Sequence, residues 1–172
     1  MIHFDTDYME GAHPEVMRRL LETNLEQTPG YGCDDYTARA KDLIREACGQ
    51  PQAAVQFLVG GTQTNATVID ALLARHEGVL GAESAHINVH EAGAIEATGH
   101  KVLTLPQYDG KVKAADVEAY IRNFYRDETY EHMVAPGMLY ISHPTELGTL
   151  YTLHELEDLS RVCREANIPL YM

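Results

Sequence analysis

Residues 53–75 read AAVQFLVGGTQTNATVIDALLAR, and this stretch decides the architecture. Its first seven residues, 53–59, form an apolar-rich run of strand length that stops on Gly60-Gly61. A run of that length bounded by glycine predicts a buried strand. From Thr62 onward the period changes. Val68, Ile69, Leu72 and Leu73 fall on one stripe at helical spacing, which predicts a helix over 62–75. A strand, a glycine turn and a helix together open a βα unit.

The same alternation runs on toward the carboxyl terminus. Apolar runs predict strands at 78–82 (GVLGA), 101–105 (KVLTL, closed by Pro106), 138–142 (MLYIS) and 168–172 (IPLYM). Between them, helices are expected at 89–98 and at 114–126, the latter with Val117, Tyr120, Ile121 and Phe124 facing one way. The last helix has the clearest start: Thr152 and Glu155 stand at capping-box spacing, and Leu153, Leu156, Leu159, Val162 and Cys163 line its apolar face up to Asn167. Toward the amino terminus two helices are expected, over 14–27 and 35–48, joined by the loop TPGYGCDD. Strands separated by helices imply βαβ crossovers, so the expected fold class is α/β: three layers, α/β/α, around a mainly parallel sheet. Residues 1–50 form an amino-terminal helical segment, and 51–172 form the sheet domain. The chain ends at Met172 in mid-strand, just where a parallel sheet runs into its functional loops, so a longer parent protein is expected.

Composition narrows the function. The formal net charge is −13, with 26 acidic against 13 basic side chains, which argues against nucleic acid as a partner. The three cysteines, Cys33, Cys48 and Cys163, form no CxxC pair and suit a reducing compartment; no spacing suggests a metal site. The start, MIHFDTDYMEG, lacks a basic region followed by an apolar run, and no apolar stretch reaches membrane-spanning length. A soluble cytoplasmic protein is expected.

Two segments concentrate chemistry. In Leu58-Val59-Gly60-Gly61-Thr62-Gln63-Thr64-Asn65, glycines let backbone approach an anion, and the free N–H groups of the following helix point at it. The same residues also make an ordinary βα turn with a threonine cap. Neither GxxxxGK[ST] nor GxGxxG is present. The second segment, residues 81–94, follows a strand's carboxyl end and carries His86 and Glu91. A histidine there can stack its ring on a planar cofactor, and a carboxylate can move protons.

The ordered set GGTQTN, HINVHEAGA, HPTELGTLYTLHELEDL and CREANIPLYM resembles the large domain of threonine aldolases and related β-eliminating lyases, within the aspartate-aminotransferase-like fold of pyridoxal-phosphate enzymes. The opening FDTDYMEGAHPEVMRRLLE and the loop Tyr31-Gly32 resemble the start of the same family. The resemblance implies that residues 51–172 are an incomplete pyridoxal 5'-phosphate-binding large domain, in which Gly60, Gly61 and Thr62 hold the phosphate and His86 stacks on the pyridine ring. It implies Thr6 beside the substrate carboxylate, Tyr31 close to the active site, and Glu91 as a candidate for proton transfer. His143 matches a family histidine, in a loop that departs from the commoner Asn-Thr-His form. The family's cofactor aspartate and lysine would follow residue 172, and Lys41, Lys101, Lys111 and Lys113 read as surface charges. The implied activity is cleavage of a β-hydroxy amino acid to glycine and an aldehyde, or β-elimination, in a homodimer or homotetramer. An aminotransferase or cysteine-lyase-like enzyme, or a non-catalytic truncated α/β domain, are the alternatives.

Overall fold

The computed structural model describes residue 6 and residues 9–172, so most of the opening FDTDY motif lies outside the described residues. The chain divides into two compact units, Met1–Phe57 and Leu58–Met172. The first holds two amphipathic helices, α1 (Pro14–Thr23) and α2 (Asp35–Ala47). His13 caps α1 through Nδ1, which accepts from the Glu15 N–H at 3.2 Å, and Pro14 takes the first helical position, where a missing N–H costs nothing. Asp34 caps α2. Its carboxylate accepts the Thr37 N–H at 2.8 Å and the Thr37 hydroxyl at 2.7 Å, and these bonds hold its carboxyl below the usual range. No residue of either helix is buried, although both apolar stripes are well formed.

The second unit contains α3 (Gly61–Leu72), β1 (Glu77–Ala82), α4 (His86–Val89), α5 (Ala94–Ala97), β2 (Val102–Leu105), α6 (Ala114–Arg126), β3 (Ala135–Tyr140), α7 (Leu153–Glu165) and β4 (Leu170–Tyr171). The four strands form one parallel sheet in the order β2-β1-β3-β4. From β1 the chain crosses to β2 on one side; from β2 it returns past β1 to β3, and then moves to β4. Right-handed crossovers in opposite directions place their helices on opposite faces. Accordingly α5 packs with α3, and α6 packs with α7. The expected α/β fold with a parallel sheet is what the chain adopts.

The core sits where the two middle strands are covered on both faces. Val79 and Leu80 of β1, and Met138 and Leu139 of β3, have no exposed surface, and Ile69, Ile87, Ile95, Leu105, Val117, Leu159 and Cys163 close around them. Full burial of each large side chain contributes about 1.5–3 kcal/mol. Two glycines let β1 lie against its neighbours. A Cβ at Gly78 would sit 2.5 Å from the Lys101 carbonyl oxygen, and one at Gly137 would sit 2.7 Å from Glu77 Cβ. They flank the register shift between Gly78 and Val79 in the β1–β3 ladder.

Three expectations need correction. Residues 53–59 are not a strand: they run as irregular chain, and Phe57, Leu58 and Val59 are exposed. A strand requires a neighbour for its N–H and C=O groups, and no described strand pairs with this run. The single helix expected over 89–98 is two one-turn helices, α4 and α5. Ala92 and Gly93 between them take left-handed backbone (φ 51° and 74°), which interrupts a helix. Finally, β3 starts at Ala135, three residues earlier than the apolar run suggests, because Ala135 and Pro136 pair with Glu77 and Gly78.

Candidate active site

The direction of the chain reverses between β1 and β3, since β1 leads to one edge of the sheet and β3 to the other. Parallel sheets open a crevice beyond the carboxyl ends of their strands at such a point. The segment after β1 delivers His86 and Glu91 to it; the segment after β3 delivers Ser142, His143 and Glu146.

Glu91 is the centre of this cluster. Its side chain is fully buried. One oxygen, Oε1, lies 2.8 Å from His86 Nδ1 and accepts the Asn65 amide N–H at 2.5 Å. Asn65 Oδ1 in turn accepts the Tyr171 hydroxyl at 2.7 Å. The other oxygen of Glu91, Oε2, is buried without a hydrogen-bond partner, an arrangement native interiors seldom leave unexplained. A second branch reaches the backbone of the histidine. Glu146 Oε1 accepts the His86 N–H at 2.7 Å and the Ser142 hydroxyl at 2.5 Å, and Ser142 Oγ lies 3.0 Å from the Tyr140 hydroxyl. Burial raises the Tyr140 and Tyr171 hydroxyls above the usual phenol range, so both remain neutral at ordinary pH.

Asn65 also ties this cluster to the start of α3. Thr62 precedes it by three residues on the same helix face, one turn nearer the amino terminus. Gly60 stands at the N-cap with φ 83°, and no side chain caps the helix. Gln63 reaches back to the Val59 N–H at 2.7 Å, and the Thr64 hydroxyl donates to the Gly60 carbonyl at 2.9 Å. A Cβ at Gly60 or Gly61 would meet nothing within 4 Å. The result is an open corner lined by the unpaired N–H groups and positive end of a twelve-residue helix.

His86 and Glu91 are therefore brought together, and Asn65 links them to α3, the helix that begins with Gly61 and Thr62 after Gly60. His143 leads the neighbouring loop; it is exposed, and its Nδ1 accepts the Tyr151 N–H at 3.3 Å. Thr6 and Tyr31 are exposed and belong to the first unit, outside the elements that build this cluster. Tyr31 takes left-handed backbone, with φ 62°. Asn65, Tyr171 and Glu146 carry much of the network, and sequence reasoning misses all three. Asn65 lies within the GGTQTN run; nothing local marks the other two. Among the described residues, no group of three or more His, Cys, Asp or Glu is arranged to hold a metal, and no helix is long and apolar enough to cross a membrane.

Comparison with known proteins bears on the fold and the family. The chain is 31% identical over 171 residues to a low specificity L-threonine aldolase of Pseudomonas aeruginosa, covering 98% of this chain and 48% of that protein. It matches a Leishmania major threonine aldolase structure with a TM-score of 0.90 and 45% identity, over 96% of this chain and 47% of that one. An archaeal alanine:glyoxylate aminotransferase, 13% identical with a TM-score of 0.70 over 91% of this chain and 38% of its own, shares the fold. The chain spans about half the length of the curated Pseudomonas relatives it matches (48% of each). The family model described as beta-eliminating lyase matches residues 3–172, and the chain belongs to that family.

Proposed function

We propose that this chain forms part of the site of a pyridoxal-phosphate-dependent lyase that cleaves β-hydroxy amino acids to glycine and an aldehyde. The carrying observation is the His86–Glu91 pair at the carboxyl ends of the sheet, joined through Asn65 to α3, whose amino terminus has no side-chain cap. The residues suit the cofactor: glycines leave room for an anion at the helix terminus, and Asn65 of the same helix bonds the carboxylate that holds the His86 imidazole. Gly60, Gly61 and Thr62 would hold the phosphate, and His86 would cover the pyridine ring. When bound, pyridoxal phosphate supplies an electron sink for the bond being broken.

The remaining work falls to side chains. His86, partly exposed, is suited to take the proton from the substrate hydroxyl as the carbon–carbon bond breaks, so that an aldehyde can leave. Glu91 holds that imidazole from behind. Thr6 and Tyr31 are proposed to meet the substrate, and His143 to border the cofactor. The ammonium of Lys111 is bound by Glu155 Oε1 at 2.6 Å and the Leu150 carbonyl at 3.3 Å, and that of Lys113 lies 3.5 Å from the Tyr108 ring centre. Lys41 and Lys101 lie on α2 and at the amino end of β2. None of the four lysines suits covalent attachment of the cofactor.

The test uses two proteins. The complete protein, given threonine and pyridoxal phosphate, should release acetaldehyde and develop the visible absorbance of a lysine-bound cofactor; this chain should develop none. Transamination without aldehyde release would favour an aminotransferase. Thr62→Ala and His86→Ala should each weaken cofactor binding at least tenfold, and unchanged affinity in both would overturn the site. A homodimer or homotetramer is expected from sedimentation of the complete protein.

A further inference from the structure

We propose that Tyr171, Asn65 and Glu91 act as a positioning relay that fixes the tautomer of His86, keeping the proton on Nδ1 and leaving the lone pair on Nε2. The direction of each bond follows from its neighbour. A tyrosine hydroxyl has one proton, and Tyr171 directs it to Asn65 Oδ1 at 2.7 Å. The carboxamide is then oriented with its NH₂ toward Glu91, where Nδ2 donates to Oε1 at 2.5 Å. The same oxygen lies 2.8 Å from His86 Nδ1. A carboxylate can only accept, so a neutral imidazole at that distance must donate from Nδ1 and carry its lone pair on Nε2.

The groups around the ring agree with this direction. Glu146 is engaged with the backbone N–H of His86 and the Ser142 hydroxyl, so it fixes the segment without competing for the ring nitrogens. The other neighbouring imidazole, His90, lies 5.6 Å away centre to centre and tilted by 50°, and Nδ1 of His86 bonds Glu91 instead. Glu91 is fully buried while the His86 side chain is 44% exposed, so the carboxylate is hidden behind the ring and the ring faces the opening. Glu91 is thereby a positioning residue, and His86 the group that meets what enters. Asn65 and Tyr171 gain a role that no local pattern in the chain suggests. Use of Nε2 on a substrate rests on the lyase reading; the tautomer itself does not.

The experiment is a long-range proton–nitrogen correlation spectrum of the 15N-labelled 172-residue chain, at about pH 9, well above the ordinary imidazole value near 6.5. His86 should show a protonated Nδ1 and an unprotonated Nε2, the reverse of the form free histidine prefers. Glu91→Gln keeps an accepting oxygen and should retain that form; Glu91→Leu removes it and should restore the ordinary one. A wild-type His86 protonated on Nε2 overturns the proposal without recourse to any variant. So does a Glu91→Leu chain, still folded, that keeps Nδ1 protonated. In the complete protein, Glu91→Leu should lower kcat at least tenfold with a smaller change in KM. If the complete protein has no lyase activity while Nδ1 is protonated, the lyase reading fails and the relay stands. If it is active with the proton on Nε2, the lyase reading stands and the relay fails.

Discussion

Replacing Gly78 with alanine tests how tightly β1 is held against β2. The added Cβ would lie 2.5 Å from the Lys101 carbonyl oxygen, with Val134 Cγ1 at 3.0 Å and Leu103 Cγ at 3.1 Å behind it. An ordinary carbon–oxygen contact is about 3.3–3.6 Å, so the strands must separate by nearly 1 Å at this point. The carbonyl cannot swing aside freely, because it accepts the Val79 N–H at 3.0 Å. Overpacking of this kind costs about 1–3 kcal/mol, and weakening the ladder bond costs about 1 kcal/mol more. Removing a glycine from the unfolded chain offsets about 0.5–1 kcal/mol. A net loss of about 1–3.5 kcal/mol is expected. Urea unfolding followed by circular dichroism should show a lower midpoint at unchanged slope. Because β1 leads directly to His86, the side-chain resonances of His86 should also shift. An unchanged midpoint would refute the reasoning, since it would mean that the strands part without cost.

Two further outcomes follow from charge and burial. The Lys111 ammonium and the Thr152 backbone hold Glu155 down to about 2, below its ordinary 4.5. Its contribution to stability is therefore present above about pH 4.5 and is lost as the pH falls toward 2. The pair is partly exposed, so Lys111→Met should cost only about 0.5–1 kcal/mol near neutrality, and the difference from wild type should vanish near pH 2 in acid titrations; a constant difference would refute it. Cys163 is buried on the inner face of α7, and burial pushes its thiol up to about 11, whereas Cys33 and Cys48 are exposed. A thiol reagent at about pH 8 should modify Cys33 and Cys48 in the native chain and reach Cys163 only after unfolding. Equal reaction rates at all three would contradict the burial.

Local signals make several elements legible in the chain. Thr152 and Glu155 mark the start of α7, and both reciprocal bonds of the capping box are present, the Glu155 N–H donating to Thr152 Oγ1 at 3.2 Å and the Thr152 N–H to Glu155 Oε2 at 2.7 Å. Helix α6 spans Ala114–Arg126, the segment its apolar stripe marks. Both depend on contacts three or four residues apart, which sequence displays directly. The strands β1 and β2 are visible for a related reason: strands that bury most of their residues are apolar almost throughout.

Pairing over long separations is decided only by tertiary structure. The 53–59 run has strand composition, yet strand formation needs hydrogen-bonding partners, and none of the described strands supplies them. In the same way His86 and Glu91 stand out because they follow a strand, and they are five residues apart. Their partners do not announce themselves: Asn65 is 26 residues from Glu91, and Tyr171 is 106 residues from Asn65. A chain of amino acids carries its caps, periods and glycine turns in plain order. Which amide faces a buried carboxylate is set only when the crossovers bring α3, the segment after β1 and β4 to one end of the sheet.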